Sequence, residues 1–247
     1  MESSNPTLGA FTKVGAMGLS RGDTGTMTLD GTIHKTGILA VILMLCFGIT
    51  WSAISHETVA FQIPLMGGAI LGFVLALIIS FSPTTAPYLS PVYAAAEGAF
   101  IAAFSELLEM KFPGIVMQAA LLTIVVLFSM LFAYRTGLIV VNNTFRAVVV
   151  GAIMAIAAFY LVGMVCLFFG VTLPGIGING SMLSIGIQLV IAVVAALTLA
   201  LDFDMIAQSA GTAPKYMEWY GAFSLMVTLV WLYITLLRLL ANLRSRD

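Results

Sequence analysis

The sequence predicts an all-α integral membrane protein, a bundle of seven transmembrane helices, from three observations. Hydrophobic residues make up 61% of the 247 residues and charged residues only 9%, whereas soluble domains carry about 25% charged residues. The mean hydropathy is +1.10. The apolar residues also fall into seven windows of about 20 residues, the length that an α-helix needs to cross the hydrocarbon core of a bilayer.

Short polar or proline- and glycine-containing segments separate the predicted spans, for example His56-Glu57 and Lys111-Phe112-Pro113-Gly114. Side chains between Thr28 and Thr36 can cap the first helix. In the second span, Gly68 and Gly72 form a small-xxx-small pair, which indicates close packing within the bundle or, alternatively, a dimer face. The predicted spans are approximately 36–55, 59–81, 91–110, 114–134, 147–170, 182–203 and 216–240.

The first 30 residues are polar and rich in Gly, Ser and Thr. They lack the layout of a signal peptide, so we predict a flexible arm over 1–30 that is not translocated, followed by a transmembrane domain over 31–247. The distribution of Lys and Arg over short loops favours a cytoplasmic N-terminus and an external C-terminus in a cell membrane, the bacterial inner membrane. The residues then placed inside are Lys13, Arg21, Lys35, Arg135, Arg146 and Lys215.

Four carboxylates fall in the predicted inner half of the membrane, on three different helices: Glu97, Asp202, Asp204 and Glu218. Ionisable residues within spans are costly to insert, so each is a candidate functional residue. Carboxylate oxygens suit Ca²⁺, and crowded carboxylates share protons. The sequence therefore predicts a pH-sensitive cation path, with Asp202 and Glu97 as candidate calcium ligands.

Each of these acids also has a purely structural interpretation. Asp202 and Asp204 could be interfacial residues at a helix end, and since they stand about 200° apart on a helix, only one can face the bundle interior. Glu218 could be a first-turn acid favoured by the helix dipole. At the predicted outer end, Glu106 and Glu109 could be interfacial, or could pair with Arg238, which otherwise snorkels to the interface. These last three form the predicted outer site: Glu106, Glu109 and Arg238.

Several function classes are excluded by residues that are missing. A net charge of −1 excludes a broad basic surface for nucleic acid. His34 and His56 both lie outside the spans, which argues against an intramembrane zinc protease. The last span contains no lysine that could carry retinal. We expect no enzyme and no cofactor, and we expect Cys46 and Cys166 to be buried free thiols.

The chain resembles the bacterial branch of the Bax inhibitor (transmembrane Bax inhibitor motif) family. The resemblance is carried by NPTLGAF and MTLDGTIHKT in the arm, VYAAAEGAF in span three, KFPGIVMQA, LDFDMI, and APKYMEWYGAFSLMVTLVWLYITLLRLL at the end. It implies a seven-helix bundle of Bax inhibitor type and a pH-sensitive calcium leak. It also implies a proton sensor made of two aspartates, one near the end of helix six and one within the last helix.

Residue by residue, the resemblance assigns the first sensor position to Asp202 and the acidic residue of the third helix to Glu97. The second aspartate would fall near Leu232, which is apolar, so Asp204, Glu218 or Glu97 would have to substitute for it. Two other functions stay open. One is a non-conducting protein that binds a membrane quality-control protease, with residues 1–25 as the docking segment, and the other is a proton-coupled cation exchanger.

Overall fold

In the computed structural model the described residues are 25–170, 177–178 and 180–246. Seven long α-helices lie within them, each long and apolar enough to cross a membrane. The prediction of an all-α, seven-helix membrane bundle is thereby confirmed, while residues 1–24 of the predicted arm lie outside the described residues. The helices are α1 (Leu29–Ser55), α2 (Gln62–Phe81), α3 (Ala86–Glu109), α4 (Ile115–Arg135), α5 (Asn143–Phe168), α6 (Met182–Ser209) and α7 (Met217–Arg244).

Most of these helices extend beyond the predicted apolar windows at their polar ends. α1 begins seven residues before the predicted position 36, because the Thr28 hydroxyl accepts a hydrogen bond from Gly31 N–H at 3.0 Å and caps the helix there. α3 begins at Ala86, directly after a short 3₁₀ turn over Pro83–Thr85. Hydropathy marks only the stretch that must lie in lipid, so capped polar turns outside it are missed.

α7 is the central helix of the bundle. It contacts α1, α3, α4 and α6, and it contributes residues to each of three apolar clusters. Phe223 packs edge-on against Tyr93 of α3 at 5.0 Å, and Leu232 packs with Leu199 of α6. By contrast, α5 packs chiefly against α6 at the periphery. A side chain on α7 can therefore interact with most of the other helices.

Glycines allow α3 to approach α1 and α2 closely. A Cβ added at Gly68 of α2 would lie 2.8 Å from the Ala96 carbonyl oxygen, and one at Gly72 would lie 2.7 Å from the Glu97 carboxylate. A Cβ at Gly98 of α3 would overlap the Leu43 carbonyl of α1. The predicted packing of Gly68 and Gly72 inside the bundle is confirmed, since both face α3.

The two ends of the bundle can be distinguished by their contacts. At one end, which we call the N-terminal face, α1 and α7 begin and α6 ends, and Met27 N–H donates to the Ala213 carbonyl at 2.8 Å. At the opposite C-terminal face, Arg244 near the end of α7 donates to the Pro113 carbonyl in the α3–α4 turn at 2.6 Å. Asp202, Asp204 and Glu218 all lie in the half of the bundle nearer the N-terminal face.

Replacing Gly68 with leucine is expected to destabilise the bundle, since the new side chain meets backbone of α3 at a distance that no Cβ tolerates. Overpacking of this kind costs about 1–3 kcal/mol. The neighbouring Gly67 is a matched control, because a Cβ there meets nothing within 4 Å. Thermal unfolding of both variants in detergent, followed by tryptophan fluorescence, should show a lower midpoint for Gly68→Leu alone. Equal midpoints would contradict the close α2–α3 contact.

Candidate proton and cation site

Asp202 ties α6 to α7 through two neutral hydroxyl groups. Its side chain is buried, with 6% of the residue exposed. Ser224 Oγ donates to one carboxylate oxygen at 2.6 Å, and Thr228 Oγ1 donates to the other at 2.6 Å. Ser224 and Thr228 are four residues apart, so they project from one side of α7. Both oxygens of the carboxylate are thus held by the central helix.

Leu232, the position expected for the family's second aspartate, is not the residue of α7 that bonds Asp202. It is fully buried in an apolar cluster with Leu199 and Leu236. Thr228, one turn earlier on α7, is the residue that meets Asp202. The partner of Asp202 on the last helix is therefore a pair of hydroxyls.

Asp204 faces a different group of residues from Asp202, as expected for two positions about 200° apart on a helix. Arg146 of α5 forms an ion pair with its carboxylate at 2.9 Å, and Gln208 donates to it at 2.7 Å. The Tyr134 hydroxyl of α4 donates at 3.4 Å. Asp204 thus links the ends of α4, α5 and α6 at the N-terminal face.

Glu218 is held by the chain around the start of α1. One carboxylate oxygen accepts hydrogen bonds from the backbone N–H and the hydroxyl of Thr28, both at 2.9 Å. The other oxygen forms an ion pair with Lys35, whose ammonium group also lies 5.6 Å from the centre of the Trp219 ring. Glu218 is only 2% exposed. Its contacts are those of an anchor between α1 and α7.

Glu97 lies further from the start of its helix than the sequence predicts. Because α3 begins at Ala86 rather than at position 91, Glu97 is eleven residues into the helix, about 16 Å at 1.5 Å per residue. Its carboxylate packs against Gly72 of α2 and interacts with the side chain of Tyr93, one turn earlier on α3. Glu97 is therefore directed at α2, while Asp202 is directed at α7.

The predicted outer acids have contacts of their own at the C-terminal face. Glu109 accepts hydrogen bonds from the backbone N–H groups of Gly114 and Val116 and so caps the start of α4. Glu106 has a buried carboxylate oxygen without a hydrogen-bond partner among the described residues. The Arg238 guanidinium lies 5.4 Å from the centre of the Phe104 ring. Among the described residues no ion pair joins Arg238 to Glu106 or Glu109, because Glu109 is turned toward the α4 backbone and Arg238 toward an aromatic ring.

The four predicted inner acids do not form one cluster. In the described ranges, no three His, Cys, Asp or Glu side chains come together as metal ligands. Within the part of the chain that the structure describes, no hydrogen bond or ion pair joins Asp202 to Glu97, Asp204 or Glu218. Asp204 and Glu218 are each paired with a cation, whereas Asp202 is held by hydroxyls. The arrangement distinguishes Asp202 chemically from the other two acids near the N-terminal face.

Sequence reasoning missed the residues that partner these acids. Ser224 and Thr228 carry a readable signal, two hydroxyls at i and i+4 in an apolar span. Arg146 and Tyr134 carry none, since their contact with Asp204 joins α4, α5 and α6. Thr28 and Lys35 contact Glu218 across 190 and 183 residues of the chain. Cys46 and Cys166 are free thiols as expected, although they are partly exposed rather than buried.

Comparison with known proteins agrees with this description. A family model described as Bax inhibitor 1 like matches residues 5–245. No curated protein and no solved structure was found to match the chain. The match, together with seven apolar helices, makes this a multi-pass membrane protein, and its place in the bacterial branch stays a prediction. Since the match covers nearly the entire chain, the protein belongs to the Bax inhibitor 1 like family.

Proposed function

We propose that the protein is a cation leak, with Ca²⁺ as the leading candidate ion, and that a proton on Asp202 controls it. The N-terminal face is taken as cytoplasmic, following the distribution of Lys and Arg. In this proposal the leak is closed while Asp202 ties α6 to α7 and opens when that tie is weakened. Glu97 is the second carboxylate along the proposed path, and Asp204 and Glu218 hold the surrounding helices in place.

The observation that carries the proposal is that both hydrogen-bond donors to the Asp202 carboxylate are neutral hydroxyl groups. An ionised carboxylate accepts hydrogen bonds with both oxygens, which matches the two 2.6 Å bonds from Ser224 and Thr228. A protonated carboxyl group carries a donor of its own and loses the charge that strengthens these bonds. Protonation would therefore weaken the contact between α6 and the central helix.

The same groups supply the chemistry that a hard cation requires. Ca²⁺ binds oxygen ligands from carboxylates, hydroxyls, carbonyls and water. If α6 separates from α7, the carbonyl oxygen of the protonated Asp202 side chain and the Ser224 and Thr228 hydroxyls become available as neutral ligands. A fixed set of many ligands would trap the ion, whereas conduction needs sites that bind weakly enough to release it. A small oxygen-lined site suits a slow leak.

The first test removes the charge of Asp202. Purified protein in dye-loaded liposomes should show Ca²⁺ flux that increases on mild acidification. Asp202→Asn is expected to abolish this pH dependence, because an amide cannot take up the proton. A proton gradient imposed at constant average pH distinguishes a leak from a proton-coupled exchanger, since a leak responds to absolute pH alone. Flux and pH dependence that survive in both Asp202→Asn and Glu97→Gln would rule out the proposal.

A second test removes one hydroxyl at a time from α7. Thr228→Val deletes a donor to Asp202, and the matched control Thr235→Val deletes a buried hydroxyl that bonds the Trp231 carbonyl of its own helix. We expect Thr228→Val to lose about 1.5–3 kcal/mol of stability, the usual value for a hydrogen bond to a charged group. Its half-maximal flux should also move to more alkaline pH, because the ionised carboxylate has lost one of two donors.

Thermal unfolding and flux–pH curves of both variants provide the measurement. Thr235→Val should leave the midpoint of the flux–pH curve in place. If the two variants behave alike, the hydroxyl at position 228 has no special role at Asp202.

A further inference from the structure

Four residues ahead of α1 form a short segment that crosses the N-terminal face. This segment, Gly25–Thr28, is named here the N-terminal strap. Met27 N–H donates to the Ala213 carbonyl at 2.8 Å, and Gly211 N–H donates to the Met27 carbonyl at 2.8 Å. Thr26 forms an antiparallel bridge with Pro214. The strap is thus bonded to the turn that joins α6 to α7.

The Glu218 carboxylate anchors the strap to the first turn of α7. It accepts hydrogen bonds from both the backbone N–H and the hydroxyl of Thr28, and it is ion-paired with Lys35, about two turns further along the chain. Gly31 makes room for this contact, since a Cβ at that position would overlap the Glu218 carboxylate. The bonds from Thr28 to Glu218 and the space left by Gly31 therefore hold the strap in one position.

Met27 is the strap residue that enters the bundle, and it is 1% exposed. Its side chain lies beside Gly221 of α7. A Cβ added at Gly221 would lie 3.0 Å from Ile206, 3.2 Å from Thr32 and 3.5 Å from Met27. The side chain of Met27, the methyl group of Thr32 and the side chain of Ile206 therefore meet at Gly221. We call these three groups the apolar layer.

This apolar layer lies between Asp202 and the N-terminal face. On α6, Ile206 follows Asp202 by four residues, one turn nearer the end of the helix. On α7, Gly221 precedes Ser224, the hydroxyl partner of Asp202, by three residues. Both intervals correspond to about 5 Å along a helix. Water that approached Asp202 from this face between α6 and α7 would have to pass Met27.

We propose that the N-terminal strap is a removable cap that controls the access of water, and hence of protons and hydrated cations, to Asp202 from the N-terminal face. The inference rests on the role given to Asp202 above. Met27 acts as the plug and Glu218 as the anchor. Thr26 and Thr28 are exposed, and the strap buries a single side chain. Its release is therefore a local opening that leaves the helix bundle intact.

The test measures the access of a water-soluble carbodiimide to Asp202. The full-length chain in detergent is treated with the carbodiimide and an amine nucleophile, and amide formation at Asp202 is quantified by mass spectrometry. Met27→Ala removes the plug and Glu218→Gln removes the anchor charge. We expect both variants to label Asp202 several-fold faster than the wild-type chain. Met44→Ala, a change at an exposed position of α1, should leave the rate unchanged.

A reversible lock tests the strap within one folded protein. In a chain with Cys46→Ser and Cys166→Ser, the bridge partners receive Thr26→Cys and Pro214→Cys, so that oxidation ties the strap to the α6–α7 turn. Oxidation should slow labelling of Asp202 and a reductant should restore it. If the labelling rate is the same with the strap locked, free, unplugged and unanchored, the proposal is overturned.

Ca²⁺ flux measured on the same proteins separates this inference from the proposed leak. Faster labelling with unchanged flux supports the strap and contradicts the calcium leak. Faster labelling with faster flux supports both.

Discussion

Inside a bilayer the protein itself must satisfy each buried charge, because the hydrocarbon core offers no water. Four of the described acids obey this constraint, in three ways. Asp202 takes hydroxyl donors from α7, Asp204 and Glu218 take cations from α5 and α1, and Glu109 takes backbone N–H groups at the start of α4. Since each set of donors includes groups from another segment of the chain, each of these acids joins two segments by directional bonds, which hydrophobic packing alone does not provide.

The position of α7 makes two of these contacts more consequential than the others. α7 contacts four helices, and it receives Asp202 from α6 and supplies Glu218 to the strap and α1. A change at Asp202 alters the packing of the central helix, whereas a change at Asp204 acts on α5, which packs chiefly against α6 at the edge of the bundle. The two aspartates of LDFDMI therefore differ in structural role although they are separated by a single phenylalanine.

The sequence was sufficient for the number of helices and for the side of the bundle on which the inner acids lie, because apolar length and the alternation of spans determine both. The side chains that pair with these acids could not be predicted in the same way. Lys35 and Glu218 meet because α1 and α7 begin at the same face and pack together, and no local pattern encodes that neighbourhood. The position that the resemblance assigned to the second aspartate, Leu232, lies about one helical turn beyond Thr228, the residue that bonds Asp202.

The chemical difference between the three acids near the N-terminal face explains why Asp202 is the one suited to proton exchange. Asp204 is ion-paired with the guanidinium of Arg146, so a proton on Asp204 would leave a cation without its counter-ion. A proton on Glu218 would do the same to Lys35 and would also free two donors of Thr28. Breaking the Lys35–Glu218 pair in this way is strongly unfavourable, because both of its side chains are largely buried. A proton on Asp202 leaves only two hydroxyl groups to reorient, and a hydroxyl can accept as well as donate. Among these three acids, the one with neutral partners is the one that can change its charge without leaving another charge unpaired.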